Sequence, residues 1–282
     1  MNIVTGYTAK LPAAVAALSG PYMAPPVRDL PSGAISEQRL RDALHDHEFR
    51  AYFQPQVDLE SMCVTGLEVL ARWVPPNAGV ISPAVFLPLL ERIGALDDML
   101  FGLVEQAAGL LQGLERSDIG LSFNVSPVQL VCPSFARRFQ DVLRTWGHNM
   151  KKITVELTED CPIVDLQISG KNLMDLKRAG CRLAMDDYGK GYSSLTRLVK
   201  LPFDEIKLDA SFSANDTYCL PIVQNALALA RSLNLSLVVE GIEHADLHEK
   251  LVALGCPLGQ GYFYGAPADA LAISAILSRW VN

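Results

Sequence analysis

Residues 183–187 read Leu183-Ala184-Met185-Asp186-Asp187, a short apolar run that ends at two adjacent carboxylates. A similar junction, in which an apolar run typical of a buried strand meets a polar side chain, recurs along the chain. Its other members are Glu68, Asn124, Glu156, Lys207 and Glu240, each at the end of a run, and Gln260, which opens the last run. The intervening stretches are long enough for a helix and its loops, so the pattern indicates alternating strands and helices.

This alternation predicts an α/β fold, a (β/α)8 TIM-like barrel, and one barrel of ~250 residues accounts for most of the 282-residue chain. The carboxyl ends of barrel strands meet at one face, so the polar residues should converge there. Residues 51–59 and 63–73 alternate like strands and are separated only by a turn, so this pair must be antiparallel. The first strand is therefore expected to run opposite to the others. Helical periodicity is expected over residues 36–47, 97–114, 135–146, 166–179, 220–233, 245–254 and 268–280.

Charge and composition restrict the partners of this chain. A net charge of −7 argues against DNA or RNA binding, which needs a basic surface to neutralise phosphates. The six cysteines are scattered singly, which predicts free thiols in a reducing compartment, the cytoplasm. No apolar run approaches the ~18 to 20 residues that span a bilayer, so membrane insertion is not expected.

Residues 1–35 form a Pro/Ala-rich leader that is predicted to be flexible or packed on the surface. The apolar run that follows Lys10 has a faint secretory character, but it is short and opens with Pro12. Residues 36–282 are predicted to form the barrel domain.

The strand-end residues are rich in hard oxygen donors, which suit Mg²⁺ or Mn²⁺ better than zinc or copper. These donors are Glu68, Asn124, Glu156, Asp186 and Asp187. Two adjacent carboxylates at a strand end repel each other unless a cation compensates them, and a shared aspartate bridging two ions would do so. Two ions ~3.5 to 4 Å apart can hold both sides of a phosphodiester and activate a water molecule. The sequence therefore predicts a site for two metal ions that acts on a phosphate ester.

Simpler interpretations of the same residues exist. A single strand-end acid is usually solvated or paired with a base, and Lys207 with Glu240 can be read as a buried ion pair instead of a water-orienting lysine and its partner. His244 and His248 have the spacing of a zinc pair but lack the surrounding motif, so a surface helix face is favoured. The glycine-rich run from Gly189 to Ser194 is predicted to be a mobile loop over the site.

Taken together, the segments from about Ser36 onward resemble the EAL family of cyclic-di-GMP phosphodiesterases. The signature strand is Glu68-Val69-Leu70-Ala71-Arg72-Trp73. Further matches are Tyr52 to Leu59, Ser82 to Glu91, Ser122-Phe123-Asn124-Val125-Ser126, Val155-Glu156-Leu157-Thr158-Glu159, Met185-Asp186-Asp187-Tyr188-Gly189, Lys207-Leu208-Asp209, Glu240-Gly241-Ile242-Glu243 and Gly259-Gln260-Gly261-Tyr262. Their number and order make the resemblance specific.

The resemblance implies a barrel with a reversed first strand that hydrolyses cyclic-di-GMP to linear 5′-pGpG with Mg²⁺ or Mn²⁺, two ions in all. It implies catalytic roles for Lys207, which would hold the attacking water, and for Gln260, which would steady Glu240. Glu240 would bind the second ion or act as general base. The implied ligands of the first ion are Glu68, Asn124, Glu156 and Asp186, and those of the second are Asp186, Asp187 and Glu240.

The resemblance also implies contacts to the substrate's phosphate and guanine from Arg72 and Gln54, anchoring of the loop after Asp187 by Glu159 and Glu243, and a homodimer. The chain departs from the family pattern at Val69, Lys190 and Ala210, of which Lys190 bears most on the loop. An alternative is a non-catalytic receptor for cyclic-di-GMP or a protein-binding EAL domain, although such proteins usually lack several acidic ligands that this chain retains.

Overall fold

A computed structural model describes residues 27–28, 35–76, 78–159, 166–191, 194–212 and 219–279. Within these ranges no helix is both long and apolar enough to cross a bilayer. The strands are β1 (Val27–Arg28), β2 (Phe49–Asp58), β3 (Val64–Trp73), β4 (Val80–Ile81), β5 (Gly120–Asn124), β6 (Ile153–Thr158), β7 (Arg182–Tyr188), β8 (Glu205–Leu208), β9 (Ser236–Val239) and β10 (Leu258–Gln260).

Eight of these described strands close into a barrel in the order β2, β10, β9, β8, β7, β6, β5, β3 and back to β2. Neighbouring strands within the run from β5 to β10 pair in parallel, and β3 is parallel to β5. In contrast, β2 is antiparallel both to β3 and to β10. The predicted α/β barrel and its reversed first strand are therefore confirmed.

The helices are α1 (Glu37–His45), α2 (Pro83–Arg92), α3 (Leu96–Gly113), α4 (Pro127–Leu130), α5 (Phe135–Thr145), α6 (Leu166–Ala179), α7 (Ser194–Lys200), α8 (Cys219–Ser232), α9 (Ala245–Leu254) and α10 (Ala270–Arg279). The periodicity predicted seven of them to within about two residues at each end. It missed α2, α4 and α7. Two of these, α2 and α4, begin with a serine N-cap followed by proline, which is a start signal that does not depend on a long apolar stripe.

The predicted leader lies outside the described residues except for Val27, Arg28 and Ile35. Strand β1 pairs in parallel with β4, whose residue Ile81 pairs with Trp73 at the end of β3. The leader and the domain boundary at residue 36 otherwise remain predictions.

Alternation along each strand separates the two faces of the barrel wall. Phe123 on β5 is buried and packs edge-on against Phe139 of α5, with 5.8 Å between ring centroids. Its neighbours Ser122 and Asn124 must therefore point to the opposite face, toward the barrel interior. The same alternation on β8 places Ile206 and Lys207 on opposite faces, so apolar residues reach the helices while polar residues reach the interior.

Candidate functional site

The polar residues predicted from the strand ends meet at one mouth of the barrel, beside a cavity of about 460 Å³. Its walls include five of the predicted metal ligands, namely Glu68, Asn124, Glu156, Asp186 and Asp187. Apolar residues of α2 and α3, among them Leu87 and Met99, also line this cavity. One departure from the predicted pattern is that Gln260 ends its strand β10 and does not open it. The site is therefore a polar floor under a partly apolar wall, the lining expected of a small-molecule pocket.

Lys207 is the centre of the polar floor. Its side chain is 1% exposed, and its Nζ lies 2.7 Å from Glu156 Oε2 and 2.9 Å from Glu240 Oε1. The same Nζ lies 3.1 Å from Asp186 Oδ1 and 3.4 Å from Glu68 Oε2. One ammonium thus faces four carboxylates, so the interior carries a surplus of negative charge if all four are ionised.

This surplus, together with burial, shifts the proton equilibria of the site. Burial raises the pKa of Glu240 to about 7, with Lys207 opposing the shift and Asp186 and Glu68 adding to it. Burial likewise raises the pKa of Asp186 and, more strongly, that of Glu156. Burial alone would lower the pKa of Lys207, but the surrounding carboxylates outweigh it and hold this pKa well above the usual value. The lysine is therefore charged, and its single positive charge is too little to balance four ionised carboxylates.

Glu68 differs from its neighbours because amides support its ionised form. Asn124 Nδ2 donates to Oε1 at 2.8 Å, and Gln260 Nε2 donates to Oε2 at 2.5 Å. Burial raises the pKa of Glu68, but Lys207 and these hydrogen bonds outweigh it and leave this pKa below the ordinary value. Gln260 also donates to Gln54 Oε1 at 3.1 Å, which joins β10, β2 and β3 in one hydrogen-bonded chain.

The donor set fits a divalent metal ion. Two buried carboxylate oxygens, Glu156 Oε1 and Asp186 Oδ1, accept no hydrogen bond, although the latter lies close to Lys207 Nζ. Orphaned acceptors of this kind, in a pocket with surplus negative charge and only oxygen ligands, suit Mg²⁺ or Mn²⁺. Among the described residues, no three acidic, histidine or cysteine side chains are already arranged to hold an ion. An ion bound here would therefore share these carboxylates with Lys207.

Adjacent Asp186 and Asp187 both line the cavity although strict alternation would point them to opposite faces. The register of β7 against β8 shifts between Met185 and Tyr188, and Asp187 has φ of +57°. The bulge breaks the alternation, and it places Asp187 in the left-handed backbone region, which aspartate tolerates better than most residues. The alternation of residues in the sequence does not predict this bulge.

The bulge brings Asp187 to a different cation. Asp187 Oδ1 lies 2.7 Å from Lys190 Nζ, which also lies 2.7 Å from Asp209 Oδ2. Burial raises the pKa of Asp209, but hydrogen bonds from Lys190 and Ser211 outweigh it and bring this pKa to about 2. The motif Lys207-Leu208-Asp209 contains this residue, and its position directly after β8, two residues beyond Lys207, is the sequence signal that points to it.

Glu159 holds the loop that follows Asp187. Its buried Oε2 accepts hydrogen bonds from the backbone N–H groups of Gly189 at 2.8 Å and Gly191 at 3.1 Å. Gly189 has φ of +104°, and a Cβ there would lie 2.6 Å from the Phe212 ring, so only glycine fits. Residues 192 and 193 of the predicted mobile loop lie outside the described residues.

The other predicted substrate-binding and loop-anchoring residues are Arg72, Gln54 and Glu243, and each has a different environment. Arg72 is half-buried over the Tyr52 ring, 5.8 Å from its centroid, and burial lowers its pKa. Gln54 donates to the carbonyl of Gly265 at 3.3 Å. Glu243 is exposed, and none of the described hydrogen bonds joins it to the loop that Glu159 holds. Among the described residues, hydrogen bonds thus join Glu159 to the loop, and anchoring by Glu243 stays a prediction.

Comparison with known proteins gives consistent matches. The family model described as EAL domain matches residues 37–267. The chain is 37% identical over 246 residues to the cyclic di-GMP phosphodiesterase RocR of Pseudomonas aeruginosa, an alignment that covers 86% of this chain and 62% of RocR. The chain therefore spans less than two thirds of the length of that relative.

Two solved structures have the same fold over most of the chain. One is the c-di-GMP complex of PaMucR phosphodiesterase, with a TM-score of 0.77 and 31% identity, covering 84% of this chain and 98% of that chain. The other is the EAL enzyme Bd1971 in its form bound to cAMP and cyclic-di-GMP, with a TM-score of 0.79 and 27% identity, covering 86% of this chain and 68% of that chain.

Proposed function

The chain belongs to the EAL domain family, and from that premise we propose that it is a metal-dependent phosphodiesterase that hydrolyses cyclic-di-GMP to linear 5′-pGpG. The observation that carries the proposal is the convergence of four carboxylates on Lys207 beside an open cavity. A receptor has no need of so much buried negative charge, which would repel a phosphate ligand unless metal ions compensate it.

The proposed metal ligands are those that the family resemblance implies, and the orphaned oxygens of Glu156 and Asp186 support them. Glu68, Asn124, Glu156 and Asp186 would hold one Mg²⁺ or Mn²⁺, and Asp186, Asp187 and Glu240 a second. Such ions, when bound, polarise a phosphoryl oxygen and make a bound water more acidic. Attraction to the bound cations would offset the repulsion among the carboxylates.

Lys207 and Glu240 act on the attacking water. The Lys207 ammonium donates a hydrogen bond to the water oxygen and fixes its position below the phosphate. Glu240, with a pKa near 7 in the metal-free site, is suited to receive the water's proton at neutral pH when it is not occupied as a ligand. The water oxygen attacks phosphorus, the P–O3′ bond breaks, and the 3′ oxygen takes up a proton from solvent, which leaves a 5′ phosphate.

The remaining residues orient the substrate. Arg72 presents a guanidinium, which has the fork geometry for a phosphate, from the strand that also carries Glu68. Gln54 contacts the guanine, and its bond to Gln260 fixes its amide orientation. The apolar wall near Leu87 and Met99 accommodates the flat base while its polar edges face the amides.

The experiment is conversion of cyclic-di-GMP by the purified chain with Mn²⁺, followed by chromatography, beside Glu68→Ala and Glu240→Ala variants. The expected result is formation of pGpG by the wild type and its loss in both variants. Absence of conversion with the ligand still bound would instead favour the receptor alternative, and equal activity in all three proteins would contradict the proposed site.

The assembly that this function would use is a homodimer. Leu195 and Val199, 57% and 75% exposed, lie four residues apart on one face of α7, directly after the loop at the site. Burial of this pair between two copies would link the loop to the partner. Sedimentation equilibrium should show a dimer for the wild type and a monomer for Leu195→Asp with Val199→Asp, and a monomeric wild type would contradict the assembly.

A further inference from the structure

Asp186 and Asp187 are adjacent in sequence but are neutralised by different lysines. Asp186 faces Lys207 from the barrel interior, whereas Asp187 is paired with Lys190 from the loop that follows β7. Only the first of these cations is part of the catalytic scheme above. The second is paired with a carboxylate that the proposed second metal ion would also use.

Lys190 is held in place from two sides. Its ammonium spans Asp187 and Asp209, with both oxygens at 2.7 Å, and Asp209 is itself fixed by a hydrogen bond of 2.9 Å from the Ser211 N–H. The backbone on either side of Lys190 is held by Glu159 through Gly189 and Gly191. The backbone that carries Lys190 is therefore held by hydrogen bonds, and its half-exposed side chain is held by two carboxylates.

An ammonium and a divalent cation repel each other when they bind the same carboxylate, so each weakens the binding of the other. Because Asp209 stays buried beside it, Lys190 retains a partner whether or not it contacts Asp187. The lysine thus has two states available: bridging both aspartates, or bound to Asp209 alone with Asp187 open to a metal ion.

We propose that Lys190 is an internal cation that competes with the second metal ion for Asp187, so that occupancy of this metal position is low until the Lys190–Asp187 contact opens. This inference rests on the proposed function for the identity of the metal position. It makes Lys190 a positioning residue that sets metal occupancy and does not touch substrate.

The test measures Mn²⁺ binding by electron paramagnetic resonance of the free aquo ion, with no substrate present. Wild-type chain should bind one ion tightly and a second weakly. Lys190→Met should lower the dissociation constant of the second ion roughly fivefold, the effect expected from removing a partly exposed competing charge. Lys190→Arg, which keeps the charge, should resemble the wild type.

Two controls assign the effect. Lys200→Met removes the same charge from the exposed end of α7 and should leave both dissociation constants unchanged. Asp187→Asn in the Lys190→Met background should abolish the gain in affinity. Equal Mn²⁺ binding by Lys190→Met and the wild type would overturn the proposal, as would an equal gain in Lys200→Met.

The outcome is independent of turnover. Hydrolysis of cyclic-di-GMP is measured on the same proteins at saturating Mn²⁺. Its absence in all of them would refute the proposed function, whereas the Mn²⁺ isotherms would still decide whether Lys190 competes for Asp187.

Discussion

Lys207 Nζ and Glu240 Oε1 lie 2.9 Å apart at the mouth of the barrel, on strand β8 and just after β9. The lysine is charged because four carboxylates surround it, and the glutamate has a pKa of about 7 because it is buried among other acids. An ammonium that can donate a hydrogen bond and a carboxylate that can accept a proton near neutral pH are therefore neighbours.

The raised pKa of Glu240 predicts that the metal-free protein loses stability as pH rises. An acid with a folded pKa of about 7 and an ordinary value of 4.5 binds more protons when folded, so the free energy of unfolding should fall between about pH 4.5 and 7. The contribution of this group is up to about 3 kcal/mol. Urea unfolding in EDTA at pH 5 and pH 8 measures the decline, which should be smaller in Glu240→Gln. An equal decline in both proteins would contradict the assignment.

Replacing Lys207 with methionine should leave four carboxylates without their buried cation. We expect a loss of about 3 kcal/mol in the metal-free protein at pH 8, and less at pH 5 because the acids then take up protons. Turnover should fall at least ~10²-fold, since the proposed water contact is lost. Lys177→Met is the matched control, because Lys177 pairs with the single partly exposed Asp204 at 2.5 Å. A loss no larger than that of the control would argue against a central role for Lys207.

Glu156→Gln should separate stability from metal binding. Glu156 is buried, its Oε1 accepts no hydrogen bond, and burial raises its pKa well above normal. Removing its charge should therefore leave the metal-free Tm at pH 8 unchanged or higher, while the rise in Tm on adding Mn²⁺ should be lost. Thermal melting with EDTA and with Mn²⁺ checks both effects. Full Mn²⁺ stabilisation of the variant would exclude Glu156 as a ligand.

Glu159→Gln should loosen the loop after Asp187. The variant replaces two charge-assisted hydrogen bonds, to the N–H groups of Gly189 and Gly191, with weaker ones. Hydrogen exchange at these two amides should become roughly tenfold faster, equivalent to about 1.4 kcal/mol. Exposed Glu243→Gln provides the comparison and should leave both rates unchanged. If Glu243→Gln accelerated exchange equally, the loop would have a second anchor.

Much of this architecture was predictable from local patterns. Residues that alternate along a strand, such as those around Glu68 on β3, identify a barrel wall, and the short connection from β2 to β3 determines that the first strand is reversed. Because parallel strands must present their carboxyl ends at one face, the sequence alone placed Glu68, Glu156 and Lys207 in a common mouth. Helix α2 was not predicted, because its start is marked by a serine cap and a proline at Ser82 and Pro83, a signal that periodicity alone does not use.

The partner of each charge was decided only by tertiary structure. Nothing local to Asp186 and Asp187 distinguishes them, yet a bulge and a left-handed backbone direct one toward Lys207 and the other toward Lys190. Likewise, Glu159 holds the loop and Glu243 remains exposed although both occur in acidic motifs. The sequence determined which chemical groups reach the mouth, because strand period and barrel closure depend on local pattern. Pairings and pKa values depend on distances of a few ångströms between residues far apart in the chain, and those distances exist only in the folded protein.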